Sequence, residues 1–412
     1  MGLVPDKWKS AERLLGDLKR RPLPFSAVTE LGRRREVRAV EPLIQLLNET
    51  STATPSRDIL APRELEAEAA TALVEIGDPR AILPLLRAAD ARDANAQIKS
   101  CADAVWKQVR DSEVLIEALQ EPSYAIRGRA VDELGKRGDV RAIQPLLQAL
   151  SDPNLEGAAE QALARIGAPA VEPLLAAFKH GKPKDRYHFA IMDALGATKD
   201  HRATTALIPY LQVQGSDFST PTLAARALGK TGDPLAVAPL ISAMEGGLNT
   251  DAQSALVEIG PPAIPALLDG LGKSGFAIHS SADTLGRIGK PAVGPLIQKF
   301  DHSSGPVRTD AARALSEIDD AEANAALSTA ISGGDLTLVA AAHRFLVRRG
   351  DPQSRMLLIE ALNVQRDPDM AASLINCGDP SLEDKARMWA KRNGYQILEG
   401  FGGGGGPKWG GK

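Results

Sequence analysis

The stretch Ala224-Ala225-Arg226-Ala227-Leu228-Gly229-Lys230-Thr231-Gly232-Asp233-Pro234, followed by Ala236-Val237-Ala238-Pro239-Leu240-Ile241, decides the fold because it comes back. It returns as Ala252-Gln253-Ser254-Ala255-Leu256-Val257-Glu258-Ile259-Gly260, then Ala263-Ile264-Pro265-Ala266-Leu267-Leu268. It returns again as Ser281 to Gly289, followed by Ala292-Val293-Gly294-Pro295-Leu296-Ile297. The glycine that closes each apolar run, or its substitute, marks twelve units: Arg35, Gly77, Arg110, Gly138, Gly167, Lys199, Gly232, Gly260, Gly289, Asp319, Gly350 and Gly378. From Gly232 onward the steps are 28, 29, 30, 31 and 28 residues. Self-similarity at that period signals stacked repeats, each too thin to bury a core alone. The first step, 42 residues, is out of line, and its excess falls in Asn48 to Arg63, rich in Thr, Ser and Pro, which reads as an extended loop.

Each unit carries two helical patterns. In the second, apolar or small residues stand at i, i+1, i+3, i+4 and i+7, as in Ala69, Ala70, Ala72, Leu73 and Ile76, a broad buried stripe at helical period. The closing glycine supplies a left-handed turn. Asp78-Pro79, Asp233-Pro234 and Asp351-Pro352 then read as an N-cap with proline at the first helical position. A further proline a few residues in (Pro42, Pro84, Pro145, Pro173, Pro239, Pro265, Pro295) is expected to remove a backbone bond and kink the first helix.

A kinked first helix, a straight second helix and a period near 30 resemble HEAT repeats, and more narrowly the short HEAT-like repeats named from phycobilisome (bilin) lyases. The resemblance covers roughly residues 25–390. It departs from the pattern where Arg35, Arg110, Lys199 and Asp319 replace the glycine, and where Trp106 takes a core leucine slot. It implies an all-α fold, a right-handed α-solenoid of about twelve two-helix repeats, with second helices lining the concave side. Residues 1–24 read as an N-terminal lead-in, with Trp8, Leu14, Leu15 and Leu18 apolar at roughly helical spacing. Residues 25–381 form the solenoid, 382–398 a polar capping helix, and 399–412 a glycine-rich tail expected to be unstructured, with Trp409 a minor candidate for docking.

Composition bounds the function. Of 412 residues, 43% are hydrophobic, 25% charged and only 4% aromatic, so Ala, Leu, Ile and Val fill thin helical layers. A net charge of −3 gives no global attraction for phosphate or an anionic membrane. Cys101 and Cys377 lie far apart and read as buried thiols rather than a disulfide or zinc framework. No apolar run reaches the roughly 18 residues of a spanning helix, and the N-terminus lacks a signal-peptide core. A soluble, cytoplasmic protein is expected.

Enzymatic motifs are missing: there is no Walker-type loop, dinucleotide fingerprint or nucleophile elbow. The resemblance includes an iron-dependent hydroxylase whose metal is held by His-Glu pairs. Here no histidine is followed by Glu, so no metal and no cofactor is expected. His180, His188 and His201 share one repeat with Lys179, Lys182, Lys184 and Arg186 and read as a solvated basic loop. A DNA glycosylase also belongs to this resemblance. Nucleic acid is disfavoured, because aromatic platforms in a strongly positive groove are lacking.

The groove is the better candidate. Positions i+2 and i+6 of the second helices fall off the apolar stripe. The i+6 column alternates in sign from Lys230 through Glu258, Arg287 and Glu317 to Arg348, as in an inter-repeat ion-pair ladder. The i+2 column holds Arg226, Ser254, Asp283, Arg313 and Arg344. Together Arg226, Lys230, Arg313, Arg344 and Arg348 form the candidate site for a protein partner with an acidic surface. The loops Asn48–Arg63, Lys179–Arg186, Val213–Pro221 and Asp301–Pro306 should form one recognition rim. The function expected is a non-catalytic scaffold; the alternative is a bilin lyase or isomerase subunit, for which no local tetrapyrrole constellation stands out.

Overall fold

Each repeat turns its corners by local chemistry, well seen around Gly138. The second helix Tyr124–Arg137 starts where Ser123 accepts the Ile126 N–H. It buries Ile126, Ala130, Val131 and Leu134 and stops at Gly138, whose φ of 64° is left-handed. Asp139 follows and accepts the N–H of Arg141 at 2.9 Å, capping a 3₁₀ turn, Val140–Ala142. The α-helix Ile143–Ala149 then buries Ile143, Leu146 and Leu147, each worth about 1.5–3 kcal/mol of apolar burial.

The computed structural model describes residues 7, 9–18, 25–51, 60–91, 94–180, 185–212, 219–273, 279–398 and 408–410. The fold is an all-α stack of paired helices, divided into two compact units, 1–194 and 195–412. In the first unit, helix Ala11–Asp17 leads into second helices Phe25–Arg33, Leu60–Ile76, Ala96–Gln108, Tyr124–Arg137 and Glu156–Ile166, with first helices between them. In the second unit the corresponding helices are Ser219–Thr231, Asn249–Ile259, Ser280–Ile288, Gly305–Glu317, the broken pair Leu336–Ala341 and His343–Arg349, and Pro368–Ile375. Helix Pro380–Arg392 closes it. The boundary between the units falls within the remaining second helix, Arg186–Ala197.

Several expectations are corrected. The prolines do not kink a long helix. The first helices that carry six of these seven prolines open as a 3₁₀ turn and become α-helical only at the residue one or two before the proline, as at Val40 before Pro42, Ile82 before Pro84, Val237 before Pro239 and Val293 before Pro295. Proline thus sits in the first α-turn, where an N–H has no intrahelical acceptor. Pro173 alone among them lies inside a continuous helix, Ala168–His180. The long loop also shrinks, because helices run to Ser51 and resume at Leu60; residues 52–59 lie outside the described ones, as do 181–184, 213–218 and Trp8. The tail is not wholly irregular: Lys408–Gly410 pairs antiparallel with Gln396–Leu398, while the other residues of 399–412 lie outside the described ones. Arg35 and Lys199 adopt φ of 55° and 56° in place of glycine, at a cost of roughly 1 kcal/mol each.

A second glycine, three residues before the marker, sets the stacking. A Cβ on Gly32 would lie 2.7 Å from Ala72 Cα, on Gly135 2.7 Å from Ala162 Cα, on Gly196 2.5 Å from Ala227 O, and on Gly229 2.9 Å from Ala255 Cα. Gly at i+5 meets Ala at i+3 of the next second helix in all four cases. We expect Gly135→Val to destabilise the protein by about 1–3 kcal/mol through this overpacking. Gly128→Ala, at a helical site with nothing within 4 Å of its Cβ, should be neutral or stabilising; thermal and urea melts followed by circular dichroism compare them.

Carboxylates held by neighbouring donors also make stability depend on acid. Arg33 and Arg34 hold the Glu30 carboxyl at about 2, Arg202 holds Asp200 at about 2, and the Ser354 hydroxyl and N–H hold Asp351 at about 2. Each lies below its unfolded value, so its contribution is complete above about pH 4 and is lost as pH falls toward 2. Urea midpoints should therefore drop steeply below pH 4.

Candidate partner-binding groove

The groove arises from the off-stripe positions of the second helices in the second unit. Ala311, Ala312, Ala314 and Leu315 are fully buried, so helical geometry turns Arg313 and Glu317 away from the core. The same spacing places Asp283 and Arg287 on the preceding second helix and Arg344 on the following one. With Asp369, Ser373 and Asn376 these five charged residues line a groove of about 620 Å³, running across four successive second helices.

Its charges are unequally engaged. Arg344 pairs with Glu317 through Nη1, and Arg287 donates to Ser254 Oγ at 3.3 Å. Both contacts run from an i+6 residue to an i+2 residue of a neighbouring repeat, so these rungs are diagonal rather than within the i+6 column. Arg313 is different. Its side chain is only 12% exposed, its nearest carboxylate is Asp367 at 3.9 Å, and its Nε is buried without a partner. Across the groove, burial pushes the Asp283 carboxyl above its ordinary range, against the pull of Arg313, His279 and Arg344. Beside these groups His279 Nδ1 lies 2.5 Å from Asp310 Oδ1, and Asp310 Oδ2 accepts the Gly272 N–H at 2.8 Å.

The five candidate residues do not form one site. Arg313 and Arg344 line the groove. Arg348 instead donates to Ser316 O at 2.8 Å and Ile318 O at 3.5 Å, tying down the C-terminal end of the preceding second helix. Arg226 and Lys230 sit on helix Ser219–Thr231, outside the lining. The groove is also not simply positive, since Asp283, Glu317 and Asp369 stand beside Arg287, Arg313 and Arg344. Asp369 was missed because it belongs to neither column.

Elsewhere the basic-loop reading fails at His188, which is 1% exposed and stacks on Phe178 with ring centroids 4.4 Å apart. His180 and His201 are exposed. Cys101 is buried, but Cys377 is only half-buried. Trp106 is half-buried rather than in the core. Arg129 lies 4.9 Å from its ring centroid, beside a cavity of about 240 Å³. A third cavity, about 200 Å³, lies between Leu73, Ile82, Val105 and Val114. Among the described residues, no group of three or more His, Cys, Asp and Glu could hold a metal ion, and no helix is long and apolar enough to cross a membrane.

Comparison with known proteins bears on this architecture. The profile for HEAT repeats matches residues 112–188, and that for the PBS lyase HEAT-like repeat matches residues 66–91 and 223–246. The chain carries HEAT repeats of the PBS lyase type. Among curated proteins, no sequence matches. Similar solved HEAT structures include the CpcE–CpcF complex of phycocyanin lyase from Nostoc sp. PCC7120, at 21% identity, covering 68% of this chain and 94% of that one with a TM-score of 0.25. Importin beta shares 14% identity, covering 93% and 66% with a TM-score of 0.37. Yeast importin-beta (Kap95p) shares 14%, covering 94% and 58% with a TM-score of 0.36.

One buried histidine borders the charged face. His343 is 4% exposed, its Nδ1 lies 2.8 Å from Ala340 O, and burial lowers its pKa to about 4. Protonation is thus easier in the unfolded chain, and stability should decline as pH falls from about 6.5 toward 4. Its ring resonances should remain those of the neutral form until near pH 4 in NMR titration.

Proposed function

We propose that this chain is a cytoplasmic, non-catalytic scaffold that holds a protein partner in the groove of its second unit. The observation that carries the reading is Arg313, a guanidinium 12% exposed with only a 3.9 Å ion pair, lining a groove of about 620 Å³. Holding an arginine there without close acceptors costs free energy, and an incoming carboxylate would recover it. The repeat architecture supports the same reading, because stacked repeats present extended surfaces to other chains. Arg226 and Lys230 would extend the contact along helix Ser219–Thr231.

The bilin-lyase alternative is not favoured by a specific observation, and the three cavities described above are lined without Cys, His or Tyr. Replacing Arg226, Arg313 and Arg344 together with Ala should reduce recovery of a partner in pull-down from native extract at least fivefold, with helicity unchanged. Undiminished recovery by a folded variant would remove the groove from the function.

A further inference from the structure

We propose that the groove selects a partner segment of mixed charge, with a carboxylate for Arg313 and a cation for Asp283 close together in sequence. This deepens, and rests on, the scaffold reading above.

Neutralisation within the groove leaves two opposite charges underserved. Glu317 engages Arg344, and Arg287 keeps its charge while bonded to the neutral Ser254. Arg313 has no hydrogen bond from its side chain among the described residues and meets only Asp367, at 3.9 Å. That aspartate caps its own helix through Oδ1, accepting the N–H groups of Asp369 and Met370 at 2.9 and 3.2 Å, and its Oδ2 stays beyond hydrogen-bond distance of Arg313. Asp283 is half-buried and forms no ion pair within 4 Å among the described residues. It nonetheless feels Arg313, and burial disfavours its charged form. Both groups line the same groove without closing on one another.

Pairing them directly would have satisfied both. Held apart, each offers an incoming group of opposite sign a partly desolvated site, where charge-assisted hydrogen bonds are strongest. A purely acidic segment would satisfy Arg313 but set its neighbouring carboxylates against Asp283 and Asp369. A purely basic one would meet Arg313 and Arg287 in the same way. Like-charge juxtaposition is what suppresses wrong partners. Exposed Asp369 extends the cationic subsite, and Arg287 the anionic one.

Three acetylated, amidated and fluorescently labelled pentapeptides test this by anisotropy at low salt: all-Glu, all-Lys, and alternating Glu and Lys. The alternating peptide should bind the full chain at least tenfold more tightly than either other. Asp283→Asn should shift the preference toward the all-Glu peptide, Arg313→Gln toward the all-Lys peptide, and Lys290→Gln, in a 3₁₀ turn outside the groove, should change nothing. Equal or tighter binding of a single-sign peptide that still responds to Arg313→Gln would overturn the mixed-charge inference and leave the groove as the binding site. Absence of binding at millimolar peptide, or binding insensitive to both groove variants, would overturn the inference and count against the groove itself.

Discussion

Everything in this fold depends on how closely one second helix can approach the next. At Gly32, Gly135, Gly196 and Gly229 a hydrogen stands where any other residue would put carbon within 2.5–2.9 Å of its neighbour. The facing residue is alanine each time. That glycine–alanine contact brings backbones together, and the flanking Leu and Ile side chains then interdigitate at core density. The off-stripe residues at i+2 and i+6 follow passively: their direction is set by the contact behind them. The groove lies on other second helices, where the comparable glycine, Gly286, would set a Cβ 2.7 Å from Glu317 Cβ.

The legible part of this fold was the part written redundantly. Twelve markers, 28–33 residues apart after the first step, show the paired helices, and the alternation of buried stripe and charged columns shows which residues leave the core. Details resting on one repeat were harder to see. Proline in the first helix reads as a kink only if the helix is α from its start; the cap chemistry of Asp78 and Asp139 instead draws the first residues into a 3₁₀ turn. There the arginine two residues on returns to its own cap, as Arg80 does to Asp78 at 2.9 Å and Arg141 to Asp139 at 2.8 Å, a feature visible in the sequence as Asp-x-Arg-Ala.

The site was legible by column and not by commitment. Sequence spacing puts Arg313, Arg344 and Arg348 on one face but does not say which of them the chain has already used. Arg348 finds two backbone carbonyls at a helix end, and Arg344 finds Glu317, because the neighbouring repeat happens to end or to place a carboxylate within reach. Arg313 has only the distant Asp367, at 3.9 Å, and Asp369, from outside both columns, adds a negative charge to its surroundings. Partner choice on a repeat surface is thus decided by what remains after neighbouring repeats have satisfied one another.

Not every interface is closed by glycine on alanine: Val74 and Val105 hold the two slots between Leu60–Ile76 and Ala96–Gln108, and Val257 and Thr284 hold them between Asn249–Ile259 and Ser280–Ile288. Between helices Ala96–Gln108 and Tyr124–Arg137 the i+5 slot is Lys107 and the facing i+3 slot is Glu133, which turns to Lys136 and Arg137 on its own helix. Trp106 and Arg129 bridge the gap. A contact made through long side chains tolerates changes of residue size that glycine on alanine does not.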